Sequence, residues 1–350
     1  MRILILGGSG FIGRHVVNEL GRAGHELAII HRGRTGGQLP KTVVNFQVQG
    51  SSPVDRSGLA GLKFKIRQYA PEIIIDMIAQ TEADTREVVA AFAGIASRLI
   101  MISSQDVYLA YGKLRGLEAG PPEPAPLTEA SRLRNRLYPY RSTLPRADED
   151  PEKWVDDYDK ILAERAATSN PELPATILRL PRVYGPGDGQ HRLYRYVRRM
   201  ADQRPVILVD RSLAQWRWTR GYVEDVAHAI SLAASDKRAS GQVYNLGEAD
   251  TMTEGEWVRL IGQVLGWKGQ VVEAMPSQLP DHLKFPYDIS HSLLVDTTKI
   301  RQELDFKETV SKEEGIRHTA DWELANEPGP VEALQEEYKA EDRAWDVINQ

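Results

Sequence analysis

Apolar residues follow two alternating rhythms along the first hundred positions. The runs RILIL from Arg2, ELAII from Glu26, EIIIDMI from Glu72 and RLIMI from Arg98 are short, continuous and rich in β-branched residues. They read as buried strands. Between them, FIGRHVVNELGRAG and TREVVAAFAGI space their apolar residues at the helical period. This alternation predicts βαβ units around a parallel sheet, and Ala175–Leu180 (ATILRL) is a further strand far downstream. The stretch from Tyr111 to Glu149 is rich in Pro, Gly and Arg. It is too long for a plain connection and is expected to be a functional excursion near the strand ends or a flexible flap.

Beyond Tyr184 the pieces shorten. Helices are predicted near Arg192–Ala201, Val223–Ala234 and Glu254–Leu265, with an apolar segment at Arg204–Val209. Thr253 before Glu256 and Ser311 before Glu314 have capping-box spacing at two helix starts. A last helix after Pro328 and Pro330 places Val331, Leu334, Tyr338, Trp345 and Ile348 near one face, expected to pack on its own domain. The predicted organisation is an α/β lobe over residues 1–180 with its excursion at 111–149. A smaller lobe follows over 181–327, with some segments returning to the first, and then the helix of 328–350.

At 350 residues the chain has room for about two domains. It has no cysteine, which removes disulfides, thiolate nucleophiles and Cys-ligated metals; no metal site is expected. No run approaches the ~18 apolar residues of a membrane span, and MRILIL reads as a strand rather than an export signal. A cytoplasmic home and no membrane partner are therefore expected. The net charge of -5 argues against a uniformly basic nucleic-acid-binding surface. Charge is nevertheless local: Arg179 to Arg220 holds ten Arg, no Lys and three Asp. That surplus points to an anionic client, with Arg182 and Arg220 as its candidate contacts and Tyr194, Tyr196, Trp216 and Trp218 as stacking faces. Arg132, Arg134, Arg136, Arg141 and Arg146 form a second cluster beside Tyr138 and Tyr140. A nucleotide diphosphate or single-stranded RNA would suit such mixtures.

Gly7, Gly10 and Gly13 lie in GGSGFIG, directly after the first strand and opening the first helix. The first permits a tight turn, the second clears the way for a pyrophosphate, and the third lets helix and strand approach. The second strand ends in His31-Arg32-Gly33-Arg34, where a free ribose 2′-hydroxyl usually meets a carboxylate. Arg32, with Arg34, suits a 2′-phosphate instead, favouring NADP over NAD.

With GGSGFIG, MISSQDVY, KILAE, LRLPRVYGPGD, YVEDVAHAI, VDTTKIRQEL and KEEGIRHTADW in this order, the chain resembles the extended short-chain dehydrogenase/reductase superfamily, specifically its NAD(P)-dependent epimerase/dehydratase group. The resemblance spans roughly residues 1 to 323. It implies a Rossmann-type doubly wound, mostly parallel sheet with a smaller C-terminal substrate-binding lobe, and a dimer through two helices of the Rossmann lobe. It implies hydride transfer between the nicotinamide and an anionic substrate, commonly a nucleotide sugar. It adds Phe11, Ile12, Ala79, Lys160, Pro181 and Val183 to the cofactor residues Gly7, Gly10, Gly13 and Arg32, and Tyr184 to the substrate side.

Catalysis in that family needs a Ser or Thr, a Tyr and a Lys. Ser104 and Lys160 match, but the position four before Lys160 holds Asp156. On a regular helix Asp156 and Lys160 share a face, whereas Tyr158 points about 200° away from Asp156. Three readings follow: Asp156 is the proton carrier, an aromatic hydroxyl from elsewhere supplies it, or proton relay is lost. Asp106, matching one half of the acidic pair of sugar-nucleotide dehydratases, is a further candidate. The expected function is an NAD(P)-dependent oxidoreductase, epimerase or dehydratase. The other reading is a cofactor-binding sensor or RNA-binding module without turnover.

Overall fold

The computed structural model describes residues 1–33, 40–48, 55–329 and 331–350. Its strands are β1 (Arg2–Leu6), β2 (Glu26–His31), β3 (Val44–Gln47), β4 (Ile73–Asp76), β5 (Arg98–Ser104), β6 (Ala175–Leu180), β7 (Arg182–Tyr184), β8 (Val206–Asp210), β9 (Arg220–Tyr222), β10 (Val243–Asn245) and β11 (Gln270–Ala274). Seven of these lie side by side in the order β10-β6-β5-β4-β1-β2-β3, every pair parallel. The helices are α1 (Phe11–Arg22), α2 (Gly58–Tyr69), α3 (Glu82–Phe92), α4 (Leu109–Leu114), α5 (Lys160–Ala167), α6 (Tyr194–Ala201), α7 (Arg211–Gln215), α8 (Val223–Ser235), α9 (Glu254–Val264), α10 (Thr298–Leu304), α11 (Lys312–Ala325) and α12 (Val331–Ile348).

The strand period of two explains the three layers. Ile3 and Ile5 join one core with Val16, Val17 and Leu20 of α1 and Ala227 and Ile230 of α8. Their neighbours Leu4 and Leu6 join the opposite core with Leu62 and Ile66 of α2, Val88 and Phe92 of α3 and Ala163 of α5. Strand order reverses between β1 and β4, so their C-terminal ends open a crevice where doubly wound sheets bind ligands. This is the fold class expected. Segments beyond residue 180 do return to the sheet: α8 packs on α1, and β10 covers the edge of β6.

The smaller lobe carries the parallel pairs β8–β11 and β7–β9 with α6, α7, α9 and α11. Thr253 and Glu256 make both arms of the expected capping box, and Ser311 accepts from the Glu314 amide. On α12, Trp345 and Ile348 pack against Val206 and Leu208, while Tyr338 is buried and donates to Asp202 at 2.7 Å. The final helix thus packs on its own chain. No helix among the described residues is long and apolar enough to cross a membrane.

Candidate active site

The turn from β1 into α1 builds the first half of the site. Gly7 has φ of 82°, which glycine adopts without a steric cost. A Cβ on Gly13 would collide with the Gly7 carbonyl oxygen, so only glycine lets the helix sit this close. Gly10 caps α1 without a side-chain hydrogen bond. The first-turn N–H groups of Phe11, Ile12 and Gly13 therefore have neither an intrahelical acceptor nor a side-chain cap, and they stand at the positive end of the helix. Beside them Leu6, Ile30, Arg32, Val48, Leu59 and Ile78 line a cleft of about 130 Å³. Apolar walls beside an N–H-rich turn fit a base and its phosphates. Arg34 lies outside the described residues.

Under this cleft Arg56 is buried between two carboxylates, 3.7 Å from Asp76 and 3.8 Å from Asp84. Burial, with Asp76 adding to it, pushes Asp84 up to about 6 against the opposing pull of Arg56 and two backbone amides. A carboxyl raised in the fold binds its proton more tightly there than in the unfolded chain. Its effect is therefore to make the protein less stable as pH rises from about 4 to about 6, by on the order of 2–3 kcal/mol. Chemical denaturation across that window should show this slope in the native chain and a flatter one in Asp84→Asn.

The second half forms where β5 ends. Ser104 caps the following turn, its Oγ accepting from the Asp106 amide at 3.2 Å. Lys160 is buried, and its ammonium donates to the carbonyls of Ala79 at 2.5 Å and Ile102 at 2.9 Å. Two of its three donors are taken, leaving one for a cofactor hydroxyl. Burial lowers its pKa against the charges of Asp106, Asp76, Asp84 and Glu164.

The helical-face expectation for Asp156 fails because α5 starts at Lys160. Asp159 is its N-cap, accepting from Ile161 and Leu162, and residues 153–157 form a separate 3₁₀ turn. The Asp156 carboxylate faces Arg146, whose amide and guanidinium donate to it at 2.8 and 2.5 Å, with Lys153 at 3.9 Å. Burial raises this carboxyl, but Arg146 and Lys153 outweigh it and hold the pKa below its ordinary value. Tyr158, in turn, is extended rather than helical, with ψ of 122°, and pairs with Thr81. Freed from the helix, it reaches the centre. Its hydroxyl donates to Asp106 Oδ2 at 2.7 Å, and Lys160 Nζ lies 5.9 Å from its ring centre.

The excursion brings in a residue that had been assigned only to an Arg-rich surface. Tyr140 stacks edge-on against Tyr158 with ring centres 5.0 Å apart; its hydroxyl is 2.8 Å from that of Tyr111 and 3.4 Å from Asp106 Oδ2. The excursion is fastened, not loose, at these points. Arg134 donates to the Asp106 and Arg136 carbonyls, Tyr138 N–H to Asp159, and Arg141 to Asp157. No helical or strand period marks Tyr140; only its place between two arginines made it noticeable.

In the smaller lobe Arg182, Tyr184, Arg192, Tyr196, Arg220 and Trp257 line a narrow cleft. Arg220 is buried in an ion pair with Glu254 and lies over the Trp257 ring at 4.8 Å. Arg182 stands 5.3 Å over the Trp218 ring and makes no ion pair among the described residues. Pro181 and Val183 flank it, Val183 buried. Much of the local positive surplus is neutralised within the fold: Arg179, Arg192, Arg198, Arg199, Arg204 and Arg220 all meet carboxylates.

The chain matches the model of the NAD dependent epimerase/dehydratase family over residues 3–99 and 137–247, the gap falling on most of the excursion. It is 26% identical over 349 residues to UDP-N-acetyl-alpha-D-glucosaminuronate decarboxylase of Bacillus cytotoxicus, covering 92% of this chain and 97% of that protein. Among solved structures it resembles a UDP-glucose 4-epimerase with UDP-glucose from Thermotoga maritima (TM-score 0.65, 20% identity, 93% and 99% of the two chains). A Thermus thermophilus UDP-glucose 4-epimerase in complex with NAD is similar at TM-score 0.63 and 21% identity, over 92% and 98%. With more than half the chain inside the family model, and a glycine turn and buried lysine suited to a dinucleotide, this chain belongs to the NAD dependent epimerase/dehydratase family.

Proposed function

We propose that this protein reversibly oxidises a hydroxyl of a nucleotide sugar, with Tyr158 as the group that exchanges the substrate's proton. The carrying observation is the convergence of Tyr158 and Ser104 on one residue, Asp106, beside the buried Lys160. A bound oxidised nicotinamide supplies the two-electron acceptor. Gly7, Gly10, Phe11, Ile12 and Gly13 would hold its pyrophosphate, and the remaining donor of Lys160 a ribose hydroxyl. Ser104 Oγ orients the reacting oxygen. Arg182 and Arg220, which line the narrow cleft of the smaller lobe, suit the substrate's diphosphate, Arg182 making no ion pair among the described residues. Tyr158's position supports turnover over the binding-only reading, which drew on the absent tyrosine at 156.

Mass spectrometry of small molecules released from the purified protein tests the substrate class directly. A UDP- or dTDP-linked sugar that is turned over on re-addition is the expected result; its absence, with no turnover of a nucleotide-sugar panel, would count against the reading.

The cofactor is proposed to be NADP, because Arg32 lines the cleft at the end of β2, where the described residues His31–Gly33 include no carboxylate; Asp55 lines the same cleft from just before α2. A charge-assisted hydrogen bond to a 2′-phosphate contributes about 1.5–3 kcal/mol, so NADPH should bind roughly tenfold to a hundredfold more tightly than NADH. Fluorescence titration of both cofactors, repeated in Arg32→Ala, measures this difference. Equal affinities would return the assignment to NAD.

A further inference from the structure

Asp106 is a buried carboxylate that the family's Ser, Tyr and Lys do not account for. One oxygen, Oδ2, accepts the Tyr158 hydroxyl at 2.7 Å and lies 3.4 Å from that of Tyr140. The other, Oδ1, has no hydrogen-bond partner although Asp106 is only 5% exposed. A carboxylate that accepts a phenol's proton holds that proton on the phenol. Burial and the Asp106 charge indeed raise Tyr158 well above its ordinary value, while burial raises Asp106 against the pull of Arg134, Tyr158 and Lys160. The cation that could favour a phenolate is turned elsewhere. Lys160 spends two donors on backbone carbonyls and lies 5.9 Å from the Tyr158 ring centre.

We infer that Asp106 is the base of this site and that Tyr158 is the conduit to it. The inference rests on the reading that a substrate hydroxyl is oxidised here. As that O–H bond breaks, its proton forms a new O–H bond on Tyr158 Oη, and the proton already there passes to Asp106 Oδ2. The substrate's C–H electron pair leaves to the two-electron acceptor named above, so the alcohol becomes a carbonyl. Tyr158 is neutral before and after, and Asp106 goes from carboxylate to carboxylic acid. Reduction runs the same transfers backwards. Tyr140, tied to Tyr111 at 2.8 Å, is a positioning residue that walls the pair from the excursion side.

Protonation can be read on the full-length protein without substrate. In an infrared pH titration, a buried carboxylic-acid band should appear above the usual carboxylate range, vanish in Asp106→Asn, and shift in frequency in Tyr158→Phe. Ultraviolet titration should find no tyrosinate near neutral pH that Tyr158→Phe removes. A neutral-pH tyrosinate lost in Tyr158→Phe, or a set of acid bands that loses none in Asp106→Asn, the band of Asp84 being common to both proteins, overturns the relay. In turnover, Asp106→Asn should lower kcat roughly a hundredfold near pH 7. Its residual rate should climb about tenfold per pH unit on the alkaline side, because Tyr158 must then ionise by itself. Asp106→Glu should recover part of the loss. An Asp106→Asn rate and pH profile matching the unsubstituted protein would also overturn it. The spectroscopic arms stand apart from the substrate assignment: if no nucleotide sugar is turned over, that reading fails while the bands still decide the relay.

Discussion

Tyr158→Phe is expected to lower kcat by about 10²–10⁴-fold, the range that loss of a positioned acid/base group produces. The substitution removes one hydroxyl, the one 2.7 Å from Asp106, and keeps the ring that packs against Tyr140. Cofactor affinity should hold within roughly twofold, since the Gly7–Gly13 turn and Lys160 are untouched. Asp156→Asn is the informative control. On a regular helix Asp156 would stand above Lys160 and its loss would abolish turnover. In the folded chain its carboxylate faces Arg146 and Lys153, so kcat should change by no more than a few-fold. Steady-state kinetics on the two variants, with cofactor titrations alongside, decide between these outcomes. An inactive Asp156→Asn beside an active Tyr158→Phe would reverse the assignment.

Glu164→Ala is expected to cost about 3–5 kcal/mol of stability, because it strands a buried arginine. The Glu164 carboxylate accepts from Arg179 at 2.8 and 3.0 Å and from Ser103 at 2.5 Å. Arg179 continues to the Tyr108 hydroxyl at 3.1 Å, which donates to Asn245 at 2.6 Å. One network thus ties β5, α5, β6 and β10 together. Replacing Glu164 and Arg179 together by leucine should recover part of the loss, since no charge is then left buried and alone. Denaturant midpoints for the single and double variants measure this. A double variant no more stable than Glu164→Ala would show that the network's geometry, rather than the orphaned charge, carries the energy.

The sheet and the glycine turn were legible in the sequence because each is coded locally. Runs such as RILIL and ATILRL announce strands by themselves, and Gly7, Gly10 and Gly13 sit at fixed offsets within one turn. Ser104 and Lys160 were legible for the same reason, each standing in a short recognisable segment. Tyr158 was hidden by one residue. The helical spacing argument runs through Asp156, whereas Asp159, a good N-cap residue just before KILAE, is the start signal. A start at Lys160 removes the rotation that had turned Tyr158 away. The arginines' partners, by contrast, are distant in sequence. Arg199 meets Glu341 and Glu337 across 142 and 138 positions, and Arg204 meets Asp342 across 138. A local charge count over Arg179–Arg220 could not include acids contributed by the final helix.

The position of β10 constrains the order in which the nascent chain can be finished. β6 is buried along its whole length, its edge away from β5 is closed by Val243–Asn245 pairing with Ile177–Arg179, and Asn245 also accepts the hydrogen bond from Tyr108. Residues 182–222, which carry β7 and β9 of the smaller lobe, therefore leave the ribosome while the seven-stranded sheet still has an open edge. At about 5–20 residues per second, the 62 residues between Leu180 and Val243 in the chain take several seconds to emerge. For that interval one edge of an apolar parallel strand, the edge away from β5, stands open, an exposure that favours association with other chains or with chaperones. The lobes are thus threaded through one another during synthesis, and neither is complete as a continuous stretch of translated chain.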